Sequence, residues 1–590
     1  MSATVQPQLD VVAESRSNAK KQLSRRALLD ALFLGGLADA LLHDGPGLGL
    51  FLWMIVFAVV LRDLVRRRGE NMTREQRGWL GAALCFAAAF VWRDSSDLGA
   101  YNFLSMLGAL ALLGATLSHV SSMRTILGQR LRDVALAIGR VLRNGAMGIL
   151  PLTLSDSDLG AATFSRGSRA RAILRATVLA LPLLLLFGAL FSGADPLFGA
   201  LLLPNIDFGA FFEHLVVAGF YAWVVGGWLR GALIDDRART GAVATARPML
   251  SLGSIDVSTI LGGVTALFIA FLAVQVRWLF GGAQLVRATT GLGYAEYARH
   301  GFFELVFVSL FVLPLLLGTR AAIPDQDVVA IRRHRQLAVT LLVLVGGVMA
   351  SALGRMGLYV HYYGLSSDRL FASVFMVWLA IVFVWFGLTV LRGRSRDFVA
   401  GMTITGFLTM AAINVGNPEA LVARVNIDRA RSALQLADSE YTSSRDTAQL
   451  RSGSASPIDY DYLTRRLNGD AVPAVVDALL ESPAAPPTIL KRGPEVTARC
   501  LAVAKLLERW SGPKATSRDR DWRQWNLGAS RAGKAVREHE RKLREVTCWD
   551  AQGEAPFGDR DRRPPRPGEQ KVSRPVGPAG ATLGGSGGAM

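Results

Sequence analysis

Eleven predominantly apolar stretches, near residues 27–42, 46–61, 78–92, 98–120, 176–195, 211–229, 257–276, 301–318, 337–354, 370–391 and 398–415, dominate the first two thirds of this 590-residue chain. Most approach the roughly 17–25 residues that a helix needs to cross the hydrocarbon of a bilayer. No water is present there to satisfy backbone amides and carbonyls, so a crossing segment must satisfy its own as a helix. The pattern predicts an all-α fold, a polytopic transmembrane helix bundle. The first two stretches are short, and the first carries Asp30 and Asp39. A tilted or re-entrant first hairpin would reduce the count of eleven to ten.

The basic residues between the stretches alternate. Segments 1–26, 62–77, 121–175, 230–256, 319–336 and 392–397 hold thirty-one Lys and Arg, whereas the interleaved segments hold only Arg93, Arg277, Arg287, Arg299, Arg355 and Arg369. Short loops rich in Lys and Arg stay in the cytoplasm. The expected place is therefore the bacterial cytoplasmic (inner) membrane, with the N-terminus inside and the chain beyond residue 415 outside. Residues 1–26 are polar and no small-residue cleavage site follows, so they are expected to be a cytoplasmic tail rather than a removed signal. In the one long inner loop, Met123–Leu142 has apolar residues at three- and four-residue steps. That periodicity predicts an amphipathic helix, lying on the inner leaflet or packed on neighbouring cytoplasmic loops.

Beyond the last stretch the composition turns polar. Residues 416–456 read as a linker, its second half rich in Ser, Asp, Arg and Thr. Residues 457–550 show helical periodicity broken by prolines and predict a small helical extracytoplasmic domain, and 551–590, rich in Pro, Gly and charge, are expected to be disordered. Cys500 and Cys548 would share an oxidising compartment and are a candidate disulfide. Cys85 lies inside an apolar stretch.

A net charge of +18 and a mean hydropathy of +0.31 coexist because the positives flank apolar helices. They set topology, and a nucleic-acid partner is not expected. No CxxC, HExxH, P-loop or GxGxxG after a strand occurs. No metal, no cofactor and no catalytic residue is therefore predicted, and an enzyme is not the favoured class.

The ionisable residues near the predicted outer ends of the spans are the places to look for function, because a charge beside lipid needs a partner or water. They include Arg93, Asp94 and Asp97, then Asp195, Glu213 and His214. The densest candidate cluster is Arg277, Glu296, Arg299, Glu304, Arg355, Tyr359 and His361. Glu296, Arg299 and His300 stand at i, i+3 and i+4, so they share one helical face. Tyr359, Tyr362 and Tyr363 also suit the aromatic belt of a membrane interface. Gly291-Leu292 and Gly364-Leu365 each precede a returning helix, a hint of a repeated two-helix unit. Asp30 and Asp39 read as a proton relay or as marks of a poorly inserted hairpin.

The runs Gly291–Glu304, Met349–Arg369, Asn417–Asn426 (NPEALVARVN) and Asp521–Asn526 (DWRQWN) resemble a bacterial multi-pass membrane family catalogued as domain of unknown function 4173, related to 4153. The similarity runs over about 80–545. It implies a membrane protein in which these runs belong together, and it carries no substrate, reaction or catalytic residue. The reading is a non-enzymatic scaffold or sensor of the cell envelope whose exported domain docks on the outer polar residues. Its partners would be the lipid bilayer and an envelope protein. The alternative is a transporter or lipid-handling protein that takes a small polar or lipid substrate at Arg277, Glu296, Glu304 and Arg355.

Overall fold

The computed structural model describes residues 5–118, 131–156, 208–235, 252–280, 302–324, 326–439, 458–481, 494–512 and 521–545. These form helices α1 (Val5–Leu42), α2 (Leu48–Arg67), α3 (Arg74–Trp92), α4 (Ser96–Ser118), α5 (Leu131–Met147), α6 (Phe208–Leu233), α7 (Ser254–Phe280), α8 (Phe302–Ala322), α9 (Val328–Tyr363), α10 (Ser367–Thr389) and α11 (Ser395–Gly416). A second set follows: α12 (Pro418–Ser439), α13 (Tyr460–Arg465), α14 (Val472–Glu481), α15 (Pro494–Trp510), α16 (Leu527–Glu538) and α17 (Glu540–Glu545). Every regular element among the described residues is helical.

Eight of these helices (α2, α4 and α6–α11) are long and apolar enough to cross a membrane. Their outward faces carry Phe220, Leu267, Phe311, Val343, Val384 and Leu408, each more than half exposed. So much bare apolar surface would associate in water, but it suits hydrocarbon. The chain is a polytopic, all-α membrane protein embedded in a bilayer. The ninth stretch is longer than expected, α9 running over 36 residues from its Asp327 cap, and α8 continues unbroken through Pro314. The stretch 176–195 lies outside the described residues.

The membrane helices pack as two groups. One core joins α1–α6 around Leu34, Trp53, Phe57, Leu113 and Leu229. The other joins α7–α11 around Leu261, Leu341, Met376, Phe386 and Phe398. Where α4 meets α11, Asn102 and Asn414 exchange two side-chain hydrogen bonds of 2.9 and 2.7 Å. Helix α5 occupies part of the region where an amphipathic helix is expected. It buries Val134, Ala137 and Val141 and lies against α4 and α6, with Trp223 donating to the carbonyl of Ala146 at 2.7 Å. The described part of the expected helix thus rests on two helices of the bundle; residues 123–130 lie outside the described set.

Two boundaries move. The polar tail is helical from Val5 onward and continuous with the first apolar stretch. A helix does not need to stop at a hydrophobic boundary, because its hydrogen bonds are internal. The segment expected as linker starts instead with α12, which follows α11 after a single residue, Asn417, in the left-handed region (φ 50°). Pro418 opens α12 at the position where its missing N–H costs nothing. Val422, Ala423, Ile427 and Ala430 of α12 then join Tyr460, Val476, Val503, Trp510 and Val536 in a third core, that of the C-terminal domain.

Candidate functional site

The C-terminal domain seats on one end of the bundle, and polar side chains make most of the specific contacts. Its centre is the turn after α3. Arg93, 9% exposed, donates from Nε to the carbonyl of Asn414 at 2.8 Å and from Nη2 to that of Val415 at 3.2 Å. Those carbonyls lie in the last turn of α11, where carbonyl groups lack intrahelical partners and favour a cation. The guanidinium also lies 3.8 Å from Asp470 Oδ1.

Asp94 and Asp470 interlock across 376 positions of sequence. The N–H of Asp94 donates to Asp470 Oδ2 at 3.2 Å. In return Asp94 Oδ2 accepts from the N–H of Gly469 at 2.9 Å, and Asp94 Oδ1 accepts from Asn526 Nδ2 at 3.3 Å. Burial pushes the Asp470 carboxyl up, and Arg93 opposes that shift. Gly528 closes the gap, since a Cβ there would stand 2.7 Å from both Asp470 Oδ1 and the Asp94 nitrogen. The bundle and the domain meet here too closely for a side chain.

Glu419, at the start of α12, is 3% exposed. It accepts from the backbone N–H of Asn468 at 2.6 Å and from Asn468 Nδ2 at 3.2 Å. Burial raises its carboxyl to about 7, against the opposing pull of hydrogen bonds from Ser95 and Asn468. Asn468 also donates to Ser96 Oγ at 3.2 Å. One residue of the domain thus ties α12 to the start of α4.

Two flanking contacts complete the seat. At the α9–α10 turn, Asn426 acts as a peptide mimic, accepting from the Leu365 N–H at 2.8 Å and donating to its carbonyl at 2.7 Å. Gly364 has φ 79°, a conformation favouring glycine, and its α-carbon faces the Asn426 amide closely. Tyr462 Oη accepts from the Ser367 N–H at 3.0 Å. At the α1–α2 turn, Arg523 donates to the Ala40 carbonyl at 3.0 Å and to the Asp44 carboxylate, while the Trp525 carbonyl accepts from the Leu48 N–H at 3.1 Å.

The cluster picked from the sequence is placed differently. Glu296 and Arg299 lie outside the described residues, and Arg277 falls on α7 with its side chain outside them. Glu304 is exposed at the start of α8 and forms no ion pair with a described residue. Arg355 donates to Gln275 of α7. Tyr359 packs edge-on against Tyr363 at 5.1 Å and lies under the Arg369 guanidinium at 3.9 Å. His361 is exposed. Of the outer ionisable residues, Arg93 and Asp94 reach the domain. Cys500 is buried and disulfide-bonded, Cys85 is free, and Cys548 lies outside the described residues.

A model of a family of unknown function, DUF4153, matches residues 80–478. The chain belongs to the DUF4153 family. No curated protein and no solved structure matches it. The DUF4153 match begins within α3, covers α4–α13 and ends within α14, so it includes Arg93, Asp94, Glu419, Asn468 and Asp470. It stops short of the Asp521–Asn526 run. What DUF4153 membership supplies is the class of the protein; the roles below come from the geometry.

Proposed function

We propose that this chain is a non-enzymatic scaffold or sensor of the bacterial inner membrane, in which the C-terminal domain lies outside and caps the helix bundle. The observation that carries the reading is the reciprocal backbone and carboxylate pairing of Asp94 with Gly469 and Asp470, beside Arg93 on the α11 carbonyls. A seat built from buried, directional bonds holds the domain in one register, which is what a signal-transmitting or partner-presenting module requires.

The end of α1, the start of α2, the end of α3, the start of α4, the end of α9 and the start of α10 all meet the domain, and the end of α11 leads into it through Asn417. Helix α2 leaves that face and α3 returns to it, so α3 spans as well, although its own composition is marginal. With α1 this gives ten of the eleven expected spans among the described helices; the remaining stretch, 176–195, lies outside the described residues. The excess of Lys and Arg in the segments that join the opposite helix ends supports a cytoplasmic location for that side. We further assign Cys548 as the partner of Cys500, which an extracytoplasmic domain permits.

Asp94→Asn combined with Asp470→Asn tests the cap. In the full chain in lipid nanodiscs, limited proteolysis should release the domain from the variant while the membrane fragment stays monodisperse. Unchanged protection would exclude the seat as the holding contact. Reporter fusions after residues 120, 230 and 392 should read cytoplasmic and one after 430 external; a cytoplasmic signal at 430 would reverse the orientation.

A second reading, lipid handling, has one specific observation in its favour. A groove of about 800 Å³ runs between the two helix groups beneath the domain, lined by Tyr101, Phe371, Phe375, Trp378 and Met410, with Asp368 among its few polar residues. It suits an acyl chain. Native mass spectrometry showing a retained lipid that Trp378→Ala removes would favour this reading over the scaffold.

A further inference from the structure

At the end of α1 and the start of α6, three side chains that bind metals well stand together. Asp39 lies in the last turn of α1, and His43, four residues on, lies in the turn that follows, its N–H donating to the Asp39 carbonyl at 3.3 Å. His214 comes from 175 positions away and places Nδ1 at 2.9 and 3.0 Å from the two oxygens of Asp39. His43 Nδ1 lies 3.6 Å from Asp39 Oδ1, too far for a hydrogen bond, and this buried nitrogen has no hydrogen-bond partner. The two imidazoles lie beside each other, 4.5 Å between centroids and tilted by 31°. All three donor atoms fall within 4.8 Å of one another.

We propose that Asp39, His43 and His214 form a binding site for a zinc-class divalent cation. Zn–N and Zn–O bonds of about 2.0–2.2 Å in a tetrahedron separate neighbouring donors by roughly 3.3 Å. The 2.9 and 3.6 Å separations bracket that value. Two imidazoles and one carboxylate select zinc and related transition metals over Mg²⁺ and Ca²⁺, which take oxygen donors. With Nδ1 of His43 on the metal, its Nε2 faces Glu213 Oε1 at 3.8 Å. That distance is beyond a hydrogen bond, and a small shift of the exposed Glu213 side chain would bring its carboxylate into the position from which an outer group orients a ligand histidine.

Asp39 and His214 sit on two packed helices, and His43 on the turn that directly follows α1, its N–H still bonded to the Asp39 carbonyl at 3.3 Å. Three protein donors leave a fourth position for water or a polar ligand. Arg523 of the domain, on the Ala40 carbonyl and the Asp44 carboxylate, stands directly beside the site. Occupancy there braces α1 against α6 at the rim of the docked domain.

The bland alternative is an Asp–His hydrogen bond beside a stacked histidine pair, and Co²⁺ titration separates the two. Full-length protein in detergent is stripped with chelator and titrated with Co²⁺, then with Zn²⁺. One Co²⁺ per chain should bind with the intense visible bands of low coordination number, and one equivalent of Zn²⁺ should remove them. His214→Ala and His43→Ala should abolish the bands, Glu213→Gln should weaken binding by about 10- to 100-fold, and His361→Ala should change nothing. No saturable uptake, or equal uptake in the His214→Ala protein, overturns the site. If the alanine variants do not fold, X-ray absorption of the zinc-loaded wild type decides: two-imidazole scattering supports the assignment and its absence overturns it.

Discussion

The two helix groups hold the same C-terminal domain by different chemistry. The α1–α6 group adds charges to the backbone contacts at Ala40 and Leu48. Arg93 and Asp94 are buried under the domain, and Asp470 descends to meet them. The α7–α11 group offers its backbone, as the Leu365 N–H and carbonyl are read by Asn426 and the Ser367 N–H by Tyr462. Buried charges interact strongly but lose much when one partner is removed, whereas neutral amide bonds contribute modestly and fail gently. The first contact therefore behaves as a lock and the second as a guide. Helix α11 bridges the two groups, since its last carbonyls receive Arg93 and Val399 packs in the first core while Phe398 packs in the second.

The sharpest way to break this asymmetry is Asp470→Ala. It leaves Arg93 buried without its carboxylate and should cost about 3–5 kcal/mol, read as a lower denaturation midpoint of the domain or its release by protease. The double change Arg93→Met and Asp470→Leu should recover most of that loss, because the cost lies in the unpaired charge and not in missing contact area. If the double variant is as weak as the single, the lock is not electrostatic.

Glu419 gives the next largest effect, through pH. Its carboxyl sits at about 7 in the docked protein against 4.5 unperturbed, so the docked state holds this proton more tightly than the unfolded state does. The contribution is complete below about pH 4.5, declines through the interval to about pH 7, and is gone above it. The span amounts to at most about 3 kcal/mol. Asp470, also raised by burial, acts in the same sense. The docked domain should be more stable at pH 5 than at pH 8, and Glu419→Gln should flatten the profile. A profile as steep in that variant as in the wild type assigns the dependence to Asp470.

Most of the membrane architecture is legible in the sequence because lipid imposes one requirement on every crossing segment. The run expected at 257–276 is α7, Ser254–Phe280, and that at 98–120 is α4, Ser96–Ser118. The seat is only half legible. Charge asymmetry points to Arg93 and Asp94, and the resemblance motifs contain Glu419, Asn426, Arg523 and Asn526, which all take part in docking or the domain's own cap. Their partners are hidden, because Asp94 and Asp470 are joined only by tertiary packing over hundreds of residues. Asp39 and His214 are hidden for the same reason. Glu419 carries a visible sign only afterwards: a carboxylate placed one residue past a helix-starting proline is ordinary at an N-terminus, and nothing in the spacing announces that it is buried.

The guide contact should respond less than the lock. Asn426→Ala leaves the Leu365 N–H and carbonyl without their partner in a half-buried turn, at a cost of about 1–3 kcal/mol. It should loosen the α9–α10 side without freeing the domain. Hydrogen exchange at Leu365 and Ser367 reports this directly: protection should fall there while Asp94 and Gly469 keep theirs. Equal loss at both places would mean that the domain undocks as one body, and the distinction between lock and guide would fail.

Tyr462→Phe gives the smallest effect. The phenol accepts one hydrogen bond from the Ser367 N–H, and the ring itself packs on the domain core, so the substitution removes a single neutral bond and little area. The expected loss is about 0.5–1.5 kcal/mol. Ser366 caps α10 through its own hydroxyl, accepting from the Arg369 N–H, so the helix start keeps its order when the phenol is gone. Combined with Asn426→Ala the two losses should exceed neither their sum nor the cost of Asp470→Ala, since both act on one turn and compete for the same ordering. A combined loss larger than that of Asp470→Ala would reverse the ranking and make the amide side the stronger attachment.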